Sequence, residues 1–220
     1  MTTILSWICP PRRWQRIVAA SSLALSCGCA GLRPATSPHP TFYSLDGATT
    51  PARTEPRAAA AAPTLIVSPT HAAGGFDSRR ILYVRQAGQL EYFAHNEWID
   101  TPARMLGPLI VAAIESGGAF RAVVQTPSPA SGEMRLDTEI LRLQHEFLQV
   151  PSRVRFTLRA YLVESATRRV IATREFDAVV PAASEDPRGG VAAASRAVRA
   201  VLDELSAFCA EAARNARLEK

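Results

Sequence analysis

Residues 153–163, Arg-Val-Arg-Phe-Thr-Leu-Arg-Ala-Tyr-Leu-Val, alternate strictly between apolar and polar side chains. Side chains of an extended strand point to opposite faces at every second residue, so Val154, Phe156, Leu158, Ala160 and Leu162 share one face. Arg153, Arg155, Thr157, Arg159 and Tyr161 share the other. A helix would scatter both sets around its circumference; a half-buried antiparallel strand satisfies the pattern. The flanking runs supply its neighbours. Residues 134–143 begin with the same alternation and slip phase at Ile140-Leu141, which predicts a bulge. Residues 168–180 return across a short turn at Ala166-Thr167. Setting Phe176 opposite Leu158 keeps both apolar faces together and places Glu175 against Arg159, where it neutralises part of the arginine row.

Toward the N-terminus the period changes repeatedly. Thr-Phe-Tyr-Ser-Leu-Asp (41–46) reads as a strand-like entry, and Thr-Leu-Ile-Val-Ser-Pro (64–69) as a short buried strand. Residues 79–85 and 89–94 flank Gln86-Ala87-Gly88 and read as a hairpin. Thr101 and Pro102 supply an N-cap and a first-turn proline; Met105, Leu106, Leu109, Ile110, Ala113 and Ile114 then recur at helical spacing until Gly117-Gly118. Residues 119–125 are again a strand. The last element is a helix from about Pro187 to Asn215, whose stripe of Val191, Ala194, Val198, Val201, Leu202, Leu205, Phe208, Cys209 and Ala212 docks on the protein's own sheet. Cys209 lies in that stripe and reads as a small core hydrophobe. The expectation is an α/β fold with a mixed, largely antiparallel sheet and a long C-terminal helix.

The start of the chain has another character. Arg12, Arg13 and Arg16 precede an uncharged run, 17–25, and no acidic residue occurs before Asp46. That is the shape of an export signal, and the run is too short to span a bilayer. Cys27 and Cys29 follow, two residues apart. A disulfide between them is disfavoured, because Cα atoms two apart in an extended chain stand about 7 Å from each other. A zinc site needs about four ligands, and no Cys/His cluster follows. The context resembles the bacterial lipobox, Leu-(Ala/Ser)-(Gly/Ala)-Cys, whose small residues admit the chain to the lipoprotein signal peptidase and whose thiol carries diacylglycerol. Cys29 follows Gly28, with Leu25 one place too far upstream; Cys27 follows Ser26, with Ala24 where leucine is usual. Lipid attachment is therefore expected at Cys29, with Cys27 as the alternative and an ordinary cleaved signal as the third reading. Residue +2 is Ala30 or Gly28 and not the Asp that retains lipoproteins in the inner membrane, which favours the periplasmic face of the outer membrane. Residues 1–28 then form the signal peptide, 29–40 a Pro-rich tether reaching about 35 Å when extended, 41–215 the folded domain with a low-complexity loop at 47–63, and 216–220 a tail.

Composition removes several function classes. The formal charge is +5, but cleavage before Cys29 removes three arginines and no acid, leaving 22 basic side chains against 20 acidic ones. Nucleic-acid binding loses its electrostatic support. The only lysine is Lys220, which excludes a Walker-A lysine, a Schiff-base lysine and a Ser-Lys dyad. His39, His71, His95 and His145 stand at no metal-binding spacing, so neither a metal nor a cofactor is expected. No Gly-x-Ser-x-Gly elbow supports a Ser/His/Asp triad. Asp77, Glu91, Glu97 and Asp100 read as solvated loop charges rather than paired catalytic carboxylates.

The order of these segments resembles the ABC-type transport auxiliary lipoproteins, the family of the paraquat-inducible operon's lipoprotein. Its members open with Tyr-x-Leu-Asp, matched by Tyr43, Leu45 and Asp46; they carry Asp-Arg before a hydrophobic strand, matched by Asp77, Arg79 and Arg80 around an inserted Ser78; and they place a Trp just ahead of a helix-starting Pro, matched by Trp98 and Pro102. The resemblance spans essentially the whole chain beyond the signal. It implies a three-layer α/β/α sandwich and a non-catalytic lipoprotein, held to the membrane by its N-terminal lipid, that works with an ABC permease, an ATPase and a mammalian-cell-entry-type periplasmic protein in moving lipid between membranes. The resemblance further implies that the lipoprotein docks that conduit at the outer membrane. A homo-oligomer is among the assemblies it allows. An envelope-structural or outer-membrane assembly lipoprotein and a lipid-binding carrier are the rival readings. Trp98 is either a packing plug or a binding hot spot.

The anchor is testable directly. Cys29→Ser should accumulate as unlipidated precursor while Cys27→Ser is still processed, read by incorporation of labelled fatty acid. Label entering the Cys29 variant and not the Cys27 variant would assign the anchor to Cys27.

Overall fold

The computed structural model describes residues 39–45 and 62–218, all within one compact unit, His39–Lys220. In chain order the elements are β1 (Thr41–Tyr43), β2 (Thr64–Val67), β3 (His71–Ala72), β4 (Arg80–Val84), β5 (Glu91–Trp98), α1 (Pro102–Ser116), β6 (Ala122–Gln125), β7 (Met134–Glu146), β8 (Arg153–Glu164), β9 (Val170–Pro181) and α2 (Pro187–Leu218). The strands make one mixed nine-stranded sheet. Its three antiparallel pairings, β4–β5, β7–β8 and β8–β9, include the two longest. The shorter pairings, of β1 with β5, of β2 with β6 and of β7 with β2, β3 and β4, are parallel.

The alternating strand lies where its pattern requires. Leu158 pairs with Phe176 and Arg159 with Glu175, the expected register. The register of β7 on β8 shifts between Ile140 and Arg142, leaving Leu141 as the extra residue at the predicted slip. The bulge has a purpose readable from burial. Before it, Met134, Leu136, Thr138 and Ile140 are buried; after it, Leu143 and His145 are. The extra residue switches parity, so a twisted strand keeps apolar side chains on the core face along its whole length.

Both helices cover that face. Thr101 caps α1, its Oγ1 accepting from the Arg104 amide at 3.4 Å, and Gly117 with Gly118 at φ 65° ends the helix. In α2 the buried side chains include Ala193, Ala194, Ala197, Ala212 and Ala213 as well as Val198, Leu202, Leu205 and Phe208, and the small residues let the helix lie close to the sheet. Cys209 is fully buried, and burial pushes its thiol up to about 12, so it stays protonated and packs as a hydrophobe. The helices also touch: the Ser206 hydroxyl donates to the Ala113 carbonyl at 3.0 Å.

Two helices in contact over one core make two layers, so the third layer of the expected sandwich is not found among the described residues. The reason lies on the sheet's other face. There Arg153 and Arg155 reach Glu146 at 3.1 and 3.2 Å, Arg155 also reaches Asp177 at 2.7 Å, and Arg159 bridges Glu139 and Glu175 at 3.5 and 3.2 Å. Covering this ladder with an apolar helix would desolvate its ions at a cost of several kcal/mol each.

Glu146 is the most enclosed member, 5% exposed. Burial acts to raise its pKa, but hydrogen bonds from Gln144, Arg153 and Arg155 outweigh it and hold the carboxyl below its ordinary 4.5. A lowered folded-state pKa contributes stability that is complete above the unfolded value and is lost as pH falls through the folded one. Glu146→Gln should therefore flatten part of the decline in stability below pH 4.5, read by denaturant melts across a pH series. Parallel declines in parent and variant would show that Glu146 is not part of the acid limb.

Candidate functional site

Three segments far apart in the chain converge where β1, β4 and β5 meet. Parallel pairing sets Phe42 beside Glu97 and Tyr43 beside Trp98. The Tyr43 hydroxyl donates to Asn96 Oδ1 at 3.2 Å, and the Ile99 amide donates to the Tyr43 carbonyl at 2.7 Å. From the other side Arg79 grips the tryptophan backbone twice: its carbonyl accepts from the Trp98 amide at 2.7 Å, and its Nε donates to the Trp98 carbonyl at 3.1 Å. Trp98, 3% exposed, and Leu45, 2%, are both in the core. Three residues beyond Trp98, the Thr101 amide donates to Asp100 Oδ1 at 2.7 Å, and α1 begins at Pro102. The motif residues Tyr43, Leu45, Arg79, Trp98 and Pro102 thus form one corner that ties the start of the domain to its core. Asp77 is exposed at its margin. Asp46, like Cys27 and Cys29, lies outside the described residues.

The corner's outer side is aromatic and cationic. The Arg79 guanidinium stands 5.2 Å from the Phe42 ring and 3.8 Å from Glu97, and that of Arg80 stands 4.1 Å from the Tyr92 ring. Phe42 and Tyr92 are 48% and 49% exposed, and Ile99 is 58% exposed. Sequence reasoning missed this pairing. The available signal was that Phe42 and Tyr92 each stand one position out of phase with a half-buried aromatic neighbour, Tyr43 and Phe93.

Two of the four carboxylates read as solvated loop charges lie elsewhere. Glu91 and Glu97 belong to β5 and not to a loop; Glu91 accepts from the Tyr83 hydroxyl at 3.0 Å, Glu97 pairs with Arg79, and Asp100 stands 3.8 Å from Arg104. A Ser-His pair does occur. His145 Nε2 and Ser152 Oγ are 2.7 Å apart, and Glu185 Oε1 accepts from the Ser152 amide at 2.8 Å. Ser152 is fully buried and His145 is 2% exposed, so the hydroxyl is closed off from solvent. Burial lowers the imidazole's pKa and keeps it neutral. Its Nδ1, without a partner, faces Gly190, where a Cβ would approach it to 2.5 Å. These groups lock the β7–β8 connection onto the first turn of α2. Among the described residues, no group of three or more His, Cys, Asp or Glu side chains could hold a metal ion.

Trp98 decides between plug and hot spot by its burial. Trp98→Ala should lower stability by about 3 kcal/mol or more, the cost of deleting a core aromatic, measured by equilibrium unfolding. A variant that melts like its parent would remove the packing role.

The fold occurs elsewhere. The chain is similar in fold to a crystallised protein of Xanthomonas campestris at 24% identity, with a TM-score of 0.68 over 81% of this chain and 99% of that one. It is similar to a further crystallised uncharacterized protein at 14% identity, with a TM-score of 0.58 over 79% of this chain and 97% of that one. No curated protein gives a significant match. The family model of the ABC-type transport auxiliary lipoprotein component matches residues 43–206, a span that runs from the motif tyrosine to the Ser206 contact between the helices, and the chain therefore belongs to that family.

Proposed function

We propose that this protein is a periplasmic lipoprotein anchored in the outer membrane through Cys29, the non-catalytic auxiliary subunit of an ABC and mammalian-cell-entry-type lipid transport system, and that it docks the periplasmic conduit at that membrane. The family match over 43–206 carries this reading. The site chemistry supports it: the clustered motif residues fix backbone and core, and the His145–Ser152 pair is buried. The open, charge-paired sheet face offers a docking platform, since such ladders favour register and partner choice over raw affinity.

The lipid-carrier alternative finds less support. A groove of about 400 Å³ between β9 and the end of α2 has the volume of a ligand site, but Arg169, Arg174 and Glu211 stand among its walls. The Arg174 guanidinium lies 5.1 Å from the Phe208 ring on its apolar floor. An acyl chain would have to displace that stacking.

The location and the partners are tested together. The full chain, purified from membranes with its acyl group, should bring down the permease, ATPase and mammalian-cell-entry-type protein and should fractionate with the outer membrane. Ala30→Asp should move it to the inner membrane. Outer-membrane fractionation without transport components would favour the envelope-structural alternative, and a parent already in the inner membrane would overturn the docking position.

A further inference from the structure

The exposed aromatic and arginine pairs at the β1–β4–β5 corner lie beside the point where the tether joins the folded domain. Register puts Phe42 next to Glu97, and Glu97 next to Arg80, so these side chains share one face of the sheet; Arg80 in turn covers Tyr92. Two half-exposed rings, each against a guanidinium, form an amphipathic patch rather than a scatter of single apolar residues. Its acids are engaged: Glu97 pairs with Arg79, and Glu91 accepts from Tyr83.

We infer that this patch is a membrane-contact surface, with Phe42 and Tyr92 seated at the headgroup level of the lipid leaflet that holds the acyl anchor and Arg79 and Arg80 reaching its phosphates. The inference rests on acylation at Cys29. Ten residues lead from Cys29 to His39, a reach of at most about 35 Å, against a diameter of roughly 40 Å for a domain of this size. The surface around Phe42 can therefore meet the lipid, and the surface diametrically across the domain cannot. At that distance a weak interfacial affinity suffices, because the anchor supplies an effective concentration in the millimolar range. Aromatic rings with polar or cationic partners are the side chains that settle at a bilayer interface. Arg79 is already balanced by Glu97, so burial of the rings carries most of the contact and salt screens only its smaller ionic part. The partner surface is thus lipid, selected by ring burial and not by net charge.

The test uses the full acylated chain in vesicles of phosphatidylethanolamine with a minority of phosphatidylglycerol, some carrying brominated acyl chains. A fluorophore is placed at Ala94→Cys on exposed β5 or at Ala166→Cys in the β8–β9 turn. These positions lie toward opposite ends of β7, since β4 pairs near His145 and the turn follows the strand end opposite Met134. Buried Cys209 stays unlabelled. Bromine quenching should be several-fold stronger at 94 than at 166. It should persist in high salt and fall to the level at 166 when Phe42→Ser and Tyr92→Ser are combined, two half-exposed positions whose loss leaves the core intact. Equal quenching at 94 and 166 in an acylated protein overturns the contact. So does a double variant quenched like its parent. Mass spectrometry of the same preparation separates failure of the anchor: a chain without acyl groups overturns the Cys29 reading, and this inference with it.

Discussion

β7 is the member on which every other strand depends. One of its edges is taken along its length by β8, and the other is shared end to end by β2, β3 and β4, all parallel to it. A strand with both edges filled must present a continuous apolar face to the helices, and a strictly alternating strand of this length would rotate off that face as the sheet twists. Leu141 resolves the conflict. By adding one residue it shifts the parity, so that Leu143 follows Ile140 into the core and Glu146 emerges among the arginines. The core and the charge ladder are two consequences of one bulge.

The ladder explains why one sheet face stays open. Exposed ion pairs contribute little to stability, typically about 0–1 kcal/mol each, so Arg159 with Glu139 and Glu175 adds modestly. Its larger effect is on register: sliding β9 by one residue on β8 would send Phe176 outward and set Glu175 among apolar side chains. Glu146 differs in degree, because it is enclosed and leans on three donors, and losing one donor leaves a desolvated charge. The same residues that fix the strand order make the face unsuitable for a second helical layer.

What the sequence disclosed was local. The β8 alternation, the slip at Ile140-Leu141, the Leu158–Phe176 register, the Thr101 cap and the closing Gly117-Gly118 all depend on neighbouring residues or on one hairpin. The parallel pairings did not appear, since nothing in Thr64–Val67 points to Met134–Leu136 or to Ala122–Gln125; both matches are made by backbone groups that every residue carries. α2 runs to Leu218, past the expected end at Asn215, because the last turns continue its helical period without a breaking residue. The Arg79 grip on Trp98 was likewise hidden, being largely a backbone contact. His145 and Ser152 looked like scattered polar residues because only the fold makes them neighbours.

The corner at Tyr43, Arg79 and Trp98 shows why the first strand of a domain needs more than edge pairing to stay in place. β1 is three residues long and, among the described residues, paired on one side only; ordering each residue costs about 1–2 kcal/mol in backbone entropy, and such a strand left to its own hydrogen bonds would fray. Leu45, immediately beyond it, is driven into the core, the Ile99 amide holds the Tyr43 carbonyl, and the Tyr43 hydroxyl holds Asn96. Each of these contacts ends on β5 or its continuation into α1, and β5 is itself held at Trp98 by Arg79. The route from β1 to the core therefore passes through one clamped tryptophan. That arrangement accounts for a motif split among three segments: its residues hold the first strand of the domain to the core.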